Sequence, residues 1–254
     1  MTNPATLPAP IPTSEPLPKA PSTGDSRVVR RAAVIAGAAI TLVAGLAGFG
    51  NLVVVQGLVT SGNAAATAHD ILGSQAMFRL GVASLYLAGV LDVVVAWALL
   101  RVFSSVNAEL ARLNAWLRLS YAAVFMVALS QLAGIPSLLT NADGRGAFTN
   151  GQLAAEAMAK VDTFHDIWFA ALILFGAHLV LAGYLAYKSG FVPRLIGALL
   201  VLAGAGYAFD SFAAVMTKHA PFAVSNVTFL GEFLLGLWLL FRGRRISLPT
   251  TASG

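Results

Sequence analysis

The stretch GYLAYKSGFVPRLIG, residues 183–197, places a short charged turn between two long apolar runs. Lys188 suits the negative C-terminal end of a helix, Gly190 suits the position that follows it, and Pro193 suits the first turn of the next helix. The stretch therefore predicts a helical hairpin whose turn lies at one face of a membrane. The alternative interpretation is a ligand site. The turn is favoured because each polar residue already has a topological role.

The composition excludes a soluble globular domain. Hydrophobic residues make up 57% of the 254 residues and charged residues 11%, with a mean hydropathy of +0.78, whereas about a quarter of a soluble domain is charged. A membrane-spanning helix needs about 20 apolar residues, and long apolar runs without alternation favour helices over barrel strands. We therefore predict an all-α integral membrane bundle of six transmembrane helices. The predicted spans are residues 32–55, 80–100, 117–138, 164–187, 193–216 and 222–241.

The 16 basic residues divide unequally between the two predicted faces. If the N-terminus is cytoplasmic, four of them lie outside, namely Arg79, Arg145, Lys160 and Lys218, and the other twelve lie inside. The positive-inside rule predicts this asymmetry for six spans with both termini in the cytoplasm. Arg118 counts among the twelve as an interfacial charge at the start of the third span. Topology thus explains the basic balance, so the expected partners are the lipid bilayer and either a second copy of the chain or another membrane protein, with no nucleic acid.

The predicted domain organisation has one folded unit between two polar tails. Residues 1–29 are rich in proline and are predicted to form a disordered cytoplasmic tail, residues 30–243 form the transmembrane domain, and residues 244–254 form a second disordered tail. Arg30 and Arg31 precede an apolar run that is longer than the 7–15 residues or so of a signal peptide. We therefore expect an uncleaved first span. The sequence leaves open whether residues 63–78 lie on the membrane surface or insert into the bundle.

Three segments together resemble a known family. They are FGAHLVLAGYLAYKSGFVPRLIGALLVLAGAGYAFD (175–210), LGEFLLGLWLLFRG (230–243) and MFRLGVASLYLAGVLDVVVAWALL (77–100). They resemble the bacterial multi-pass membrane family catalogued as domain of unknown function 4386, and the resemblance extends over about residues 30–243. It implies six spans and a bacterial plasma membrane, and it implies no particular chemistry.

Three ionisable residues share one predicted depth within the spans. At about 1.5 Å per helical residue, Asp92, His178 and Glu232 each lie about 14–15 Å from the cytoplasmic boundary, on helix faces that also carry small residues. An ionisable group in a span costs about 3 kcal/mol, so such residues face the bundle interior. The pattern predicts a polar cluster of these three residues. The cluster either joins helices as a hydrogen-bonded structural contact or shares protons or a cation, and the structural interpretation is slightly favoured.

A fourth residue, Asp210, is predicted nearer the outer face, at the mouth of the bundle. No sequence motif for catalysis or for a cofactor accompanies these residues: H-E-x-x-H, a Walker loop and G-x-S-x-G are all missing from the sequence. His165 and His178 lie on one predicted helix, which cannot supply both axial ligands of one haem. We expect no enzyme, cofactor or metal site, with a membrane enzyme or haem protein as the less favoured alternative. The expected function is structural or interactive in the bacterial cell envelope, and the alternative is a transporter or sensor of a small solute, cation or proton.

Overall fold

The computed structural model describes residues 23–140, 148–216 and 230–246, with the side chains of 23–25 and 215 left aside. The described part of the chain is all-α, as the sequence predicts. Its elements, in chain order, are α1 (Thr23–Ala47), a π-helix (Gly48–Val55), α2 (Gln56–Leu58), α3 (Ala64–Gly73), α4 (Gln75–Phe103), α5 (Ala108–Ala133), α6 (Ile135–Thr140), α7 (Asn150–Lys188), α8 (Arg194–Met216), α9 (Leu230–Arg242) and a 3-10 turn (Gly243–Arg245).

Five helical segments of the described chain are long and apolar enough to cross a membrane. They are Ser26–Leu58, Gln75–Phe103, Ala108–Thr140, Asn150–Lys188 and Arg194–Ala214. The predicted sixth span, 222–241, lies partly outside the described residues, and α9 covers its second half with 13 residues. The count of six spans and the cytoplasmic placement of the termini therefore stay predictions.

Two helices begin earlier than the sequence suggests. Helix α1 begins at Thr23, within the predicted disordered tail 1–29, while residues 1–22 and 247–254 of the two tails lie outside the described part. Helix α7 begins at Asn150, so the predicted loop that extends to residue 162 is wrong over most of its length. The physical reason is a capping box between Thr149 and Gln152, which starts a helix that no residue then interrupts. At 39 residues and about 58 Å, α7 is longer than a bilayer core of about 30 Å.

The long helices pack in a closed ring. In order around it, α1 packs on α4, α4 on α5, α5 on α7, α7 on α8, α8 on α9, and α9 on α1. The short α3 packs against α6 and α7, and its Thr67 and Ile71 are fully buried. Residues 63–78 therefore insert into one end of the bundle, which answers the question that the sequence leaves open.

Glycines let α7 and α8 approach closely at two levels. A Cβ atom added to Gly183 would lie 2.6 Å from the carbonyl oxygen of Gly197, and one added to Gly176 would lie 2.6 Å from that of Gly204. Both pairs are separated by seven residues along each helix, so they lie on the same face of α7 and the same face of α8. Small residues of this kind permit helix contact in membranes, where the hydrophobic effect does not drive helices together.

The turn between α7 and α8 has the predicted geometry. Gly190 has a φ of 71°, which favours glycine, and Pro193 directly precedes the first residue of α8. Ser189 is buried, because its hydroxyl donates to the carbonyl of Ala186 and accepts from the amide of Val192. The ring of Phe191 stacks on Phe103 at the end of α4. The start of α1, the end of α4, the α7–α8 turn and the end of α9 lie together, and we call this end of the bundle the basic end.

Candidate functional site

Four helices each present one polar side chain at the same distance from the basic end. Asp92 lies 11 residues before the end of α4, and Arg118 lies 10 residues after the start of α5. His178 and Glu232 each lie 10 residues before the ends of α7 and α9. At about 1.5 Å per residue, all four lie roughly 15 Å from the basic end. We call these four residues the Arg118 cluster.

The guanidinium of Arg118 holds the cluster together. Its Nε donates to Oδ1 of Asp92 at 2.9 Å, and Nη2 donates to the same carboxylate oxygen. Its Nη1 donates to Oε1 of Glu232 and lies 3.0 Å from Nε2 of His178. Each of the three guanidinium nitrogens therefore has an acceptor, and hydrogen bonds between ionised partners are about twice as strong as neutral ones.

The contacts of His178 define its tautomer. A guanidinium only donates, so Nε2 of His178 must accept the bond from Arg118. Its Nδ1 lies 3.1 Å from the backbone carbonyl of Asn114, which only accepts, so Nδ1 carries the proton. The imidazole is thereby neutral and connects α7 to two successive turns of α5.

The cluster is buried and its charges do not cancel. Arg118 and His178 are fully buried, Asp92 is nearly so, and 16% of the Glu232 side chain is exposed. Two carboxylates face one guanidinium, so the cluster carries a formal charge of −1. A buried ion pair contributes stability only when its geometry repays the loss of hydration. Here the acceptors surround the guanidinium and meet that condition.

Aromatic side chains cover the cluster on the side away from the basic end. The guanidinium lies 5.4 Å from the centre of the Phe175 ring, a distance suited to a cation–π contact. The Tyr121 ring lies 4.6 Å from Phe175, and Tyr207 meets Phe175 edge-on at 5.3 Å. Trp168 donates from Nε1 to the Tyr121 hydroxyl at 3.3 Å. This aromatic layer separates the cluster from the opposite end of the bundle.

The structure brings together the three predicted residues and adds a fourth. Asp92, His178 and Glu232 all contact Arg118, which the sequence analysis places at the cytoplasmic interface as a topological charge. That placement of Arg118 is wrong, because the residue is fully buried three turns into α5. The sequence does contain a signal for this position. Asn107 caps the helix by accepting from the amide of Leu110, so α5 begins well before the apolar run and Arg118 lies within it.

Asp210, the predicted outer-mouth residue, lies apart from the cluster. It is buried on α8, 16 residues after Arg194, and is therefore about 9 Å farther from the basic end than the cluster. It is not among the acceptors of Arg118 in the described part of the chain. Its role at a mouth stays a prediction.

One buried polar side chain beside the cluster lacks a partner. The amide of Asn114 is almost fully buried, and neither its Nδ2 nor its Oδ1 makes a hydrogen bond within the described residues. Asn114 lies one turn before Arg118 on α5, and its backbone carbonyl accepts from His178. An unpaired buried amide costs about 1–3 kcal/mol. The described residues contain no group of three or more His, Asp or Glu arranged to hold a metal ion.

Comparison with known proteins places this architecture in a family. The model of the family described as domain of unknown function 4386 matches residues 35–243 of the chain. An uncharacterised protein of Archaeoglobus fulgidus is 30% identical over 168 residues, which cover 65% of this chain and 85% of that protein. No solved structure matches the chain.

Proposed function

We propose that this chain, which belongs to the family described as domain of unknown function 4386, is a structural or interaction component of the bacterial cell envelope. In this proposal it is a multi-pass protein of the plasma membrane with six spans, and its basic end faces the cytoplasm. Its partners are the lipid bilayer and either a second copy or another membrane protein. It catalyses no reaction and holds no cofactor.

One observation carries the proposal. Arg118 on α5 is bonded at all three guanidinium nitrogens to residues of α4, α7 and α9, which include both carboxylates of the cluster. A site that works by exchanging protons or ions needs a group that can release its partner, whereas here the acceptors are already engaged by a permanent cation. The arrangement suits a fixed internal contact that joins helices from across the bundle.

The surrounding packing supports the same interpretation. The aromatic layer of Tyr121, Trp168, Phe175 and Tyr207 lies directly between the cluster and the far end of the bundle. The close glycine contacts of α7 and α8 hold the helix that carries His178 against its neighbour. Close packing on this scale leaves few internal gaps and favours one fixed arrangement.

A second candidate function is transport or sensing of a proton or small cation. The observation that favours it is the formal charge of −1 on the cluster, together with the unpaired amide of Asn114 beside it. Ionisable residues within membranes often belong to proton or ion pathways. In this alternative, a proton or cation would neutralise the surplus carboxylate, and Glu232 is the candidate because its side chain is partly exposed.

Reconstitution separates the two functions. The purified chain is placed in vesicles with a pH-sensitive or cation-sensitive dye inside, and flux is followed after a gradient is imposed. The structural proposal predicts the same leak as empty vesicles, together with a loss of thermal stability in Asp92→Asn. Flux that the chain adds and that Glu232→Gln removes, while the variant stays folded, would overturn the structural proposal in favour of transport.

A further inference from the structure

The basic end of the bundle contains a cavity lined mainly by arginines. Its volume is about 480 Å³, and its lining residues come from the start of α1 and from the 3-10 turn after α9. They are Arg27, Arg30, Arg31, Val34, Ile35 and Arg244. Four guanidinium groups from two distant parts of the chain therefore surround one space, which we call the arginine cavity.

The fold holds the two walls of the arginine cavity together. Nε of Arg30 donates to the backbone carbonyl of Ile246 at 2.8 Å, which ties the first turns of α1 to the chain after α9. Gly243 packs directly on Ala33, since a Cβ atom added to Gly243 would lie 2.9 Å from the Cβ of Ala33. The close approach at Gly243 brings Arg244 to the same space as Arg27 and Arg31.

The charges of the arginine cavity are not balanced by the protein around it. Among the side chains that the structure describes, no carboxylate lies within salt-bridge distance of Arg27, Arg31 or Arg244. Elsewhere in the described chain, arginines such as Arg112 and Arg118 do pair with carboxylates. A group of unpaired guanidiniums is a site for an anion, and guanidinium geometry matches phosphate in particular.

An apolar stripe leads away from the arginine cavity along α1. Val28, Ile35 and Leu42 are all exposed and follow one another at seven-residue intervals, so they lie along one face of the helix. Ile35 is both a member of this stripe and part of the cavity lining. Because α1 is long and apolar enough to cross a membrane, its exposed face would meet acyl chains.

We propose that the arginine cavity binds the phosphate headgroup of an anionic phospholipid, whose acyl chains lie along the Val28, Ile35 and Leu42 stripe of α1. Basic pockets between membrane helices are known to hold anionic headgroups. The continuity between a cationic cavity and an apolar stripe favours a lipid over a free phosphate ion, which would use only the first. The proposal does not depend on the function of the Arg118 cluster.

The test is a lipid titration followed by native mass spectrometry. The full-length chain in detergent is titrated with phosphatidylglycerol and, in parallel, with phosphatidylcholine of the same acyl chains. We expect at least five-fold tighter binding of phosphatidylglycerol. In the variant Arg31→Gln/Arg244→Gln, its affinity should fall by about five-fold for each arginine removed. The single variant Arg244→Gln should show about half of that logarithmic loss.

The control variant Arg101→Gln/Arg112→Gln removes the same number of charges from exposed positions outside the cavity lining. It should change the affinity for phosphatidylglycerol by less than two-fold. Equal losses in the two double variants, or equal affinity for the two lipids, would overturn the site. An added excess of inorganic phosphate should leave the bound lipid in place, and its displacement by phosphate alone would contradict a lipid site and indicate a free-anion site.

Discussion

Arg118 on α5 and Glu232 on α9 form an ion pair across the bundle, although α5 and α9 are not neighbours in the ring of helices. The pair spans 114 residues of sequence and joins the last described helix to the middle of the chain. A closed ring of helices has an interior that neighbouring contacts alone do not fill. The Arg118 cluster occupies this interior and connects four of the helices that form the ring.

Removal of the guanidinium should be strongly destabilising. In Arg118→Met, the side chain keeps its approximate length, but two buried carboxylates lose their cation. We expect a loss of about 3–5 kcal/mol in the free energy of unfolding, because the cost of a buried unpaired charge is large. Unfolding of the purified chain in mixed micelles measures it.

The matched control for that variant is Arg112→Met on the same helix. Arg112 pairs with Glu109 at an exposed position, where such pairs contribute at most about 1 kcal/mol. The control should therefore unfold close to wild type. A similar loss in both variants would indicate that the charge of α5, and not the contacts of Arg118, determines stability.

The two carboxylates of the cluster should differ in importance. Asp92 accepts from Nε and Nη2 of Arg118 and is nearly fully buried, whereas Glu232 accepts only from Nη1 and is partly exposed. We therefore expect Asp92→Asn to cost about 2–4 kcal/mol and Glu232→Gln about 1 kcal/mol, since the second variant leaves a neutral Arg118–Asp92 pair. Thermal unfolding of the two purified variants gives the order. A larger loss in Glu232→Gln would contradict it.

The sequence predicts the membrane class and most of the cluster because both depend on local, countable features. Long apolar runs identify the spans, and counting residues from the charged helix ends places Asp92, His178 and Glu232 at one level. Arg118 is missed because an arginine near the start of an apolar run resembles an interfacial charge. Only the helix start at Asn107, or the structure, shows that the residue lies in the interior.

Other features depend on contacts between distant parts of the chain, which a single sequence does not specify. The order of helices around the ring and the burial of α3 are of this kind. The length of α7 is different, because the signal was local. The Thr149–Gln152 capping box is present in the sequence, but the polar residues that follow it suggest a loop.

The glycine contacts of α7 and α8 give a prediction about packing. In Gly183→Ala the new methyl group would lie 2.6 Å from the carbonyl oxygen of Gly197, so the two helices must separate. We expect a loss of about 1–3 kcal/mol in stability from overpacking.

Gly45→Ala is the corresponding control on α1, because a Cβ atom added to Gly45 meets no atom within 4 Å. That variant should be neutral or more stable by up to about 1 kcal/mol, since alanine is the better helix former. Melting temperatures of both variants, measured in one detergent, provide the comparison. Equal melting temperatures would show that close approach at Gly183 is not needed.

The proposed orientation can be tested with single cysteines, because the chain contains none. Ser105 is exposed in the turn between α4 and α5 at the basic end, and Ser61 is exposed between α2 and α3 at the opposite end. In intact cells, a membrane-impermeant maleimide should label Ser61→Cys, and it should label Ser105→Cys only after lysis. The reverse pattern would place the basic end outside the cytoplasm. Ser189 is unsuitable for this test because its side chain is buried.

The most direct test of the central claim is a double-mutant cycle between Arg118 and Asp92. The free energy of unfolding is measured for wild type, Arg118→Met, Asp92→Asn and the double variant. If the Arg118 cluster is an ionic contact that joins the helices, the double variant should cost at least about 1 kcal/mol less than the sum of the two single variants. Costs that add to within about 0.5 kcal/mol would contradict it, because independent sites behave in that way.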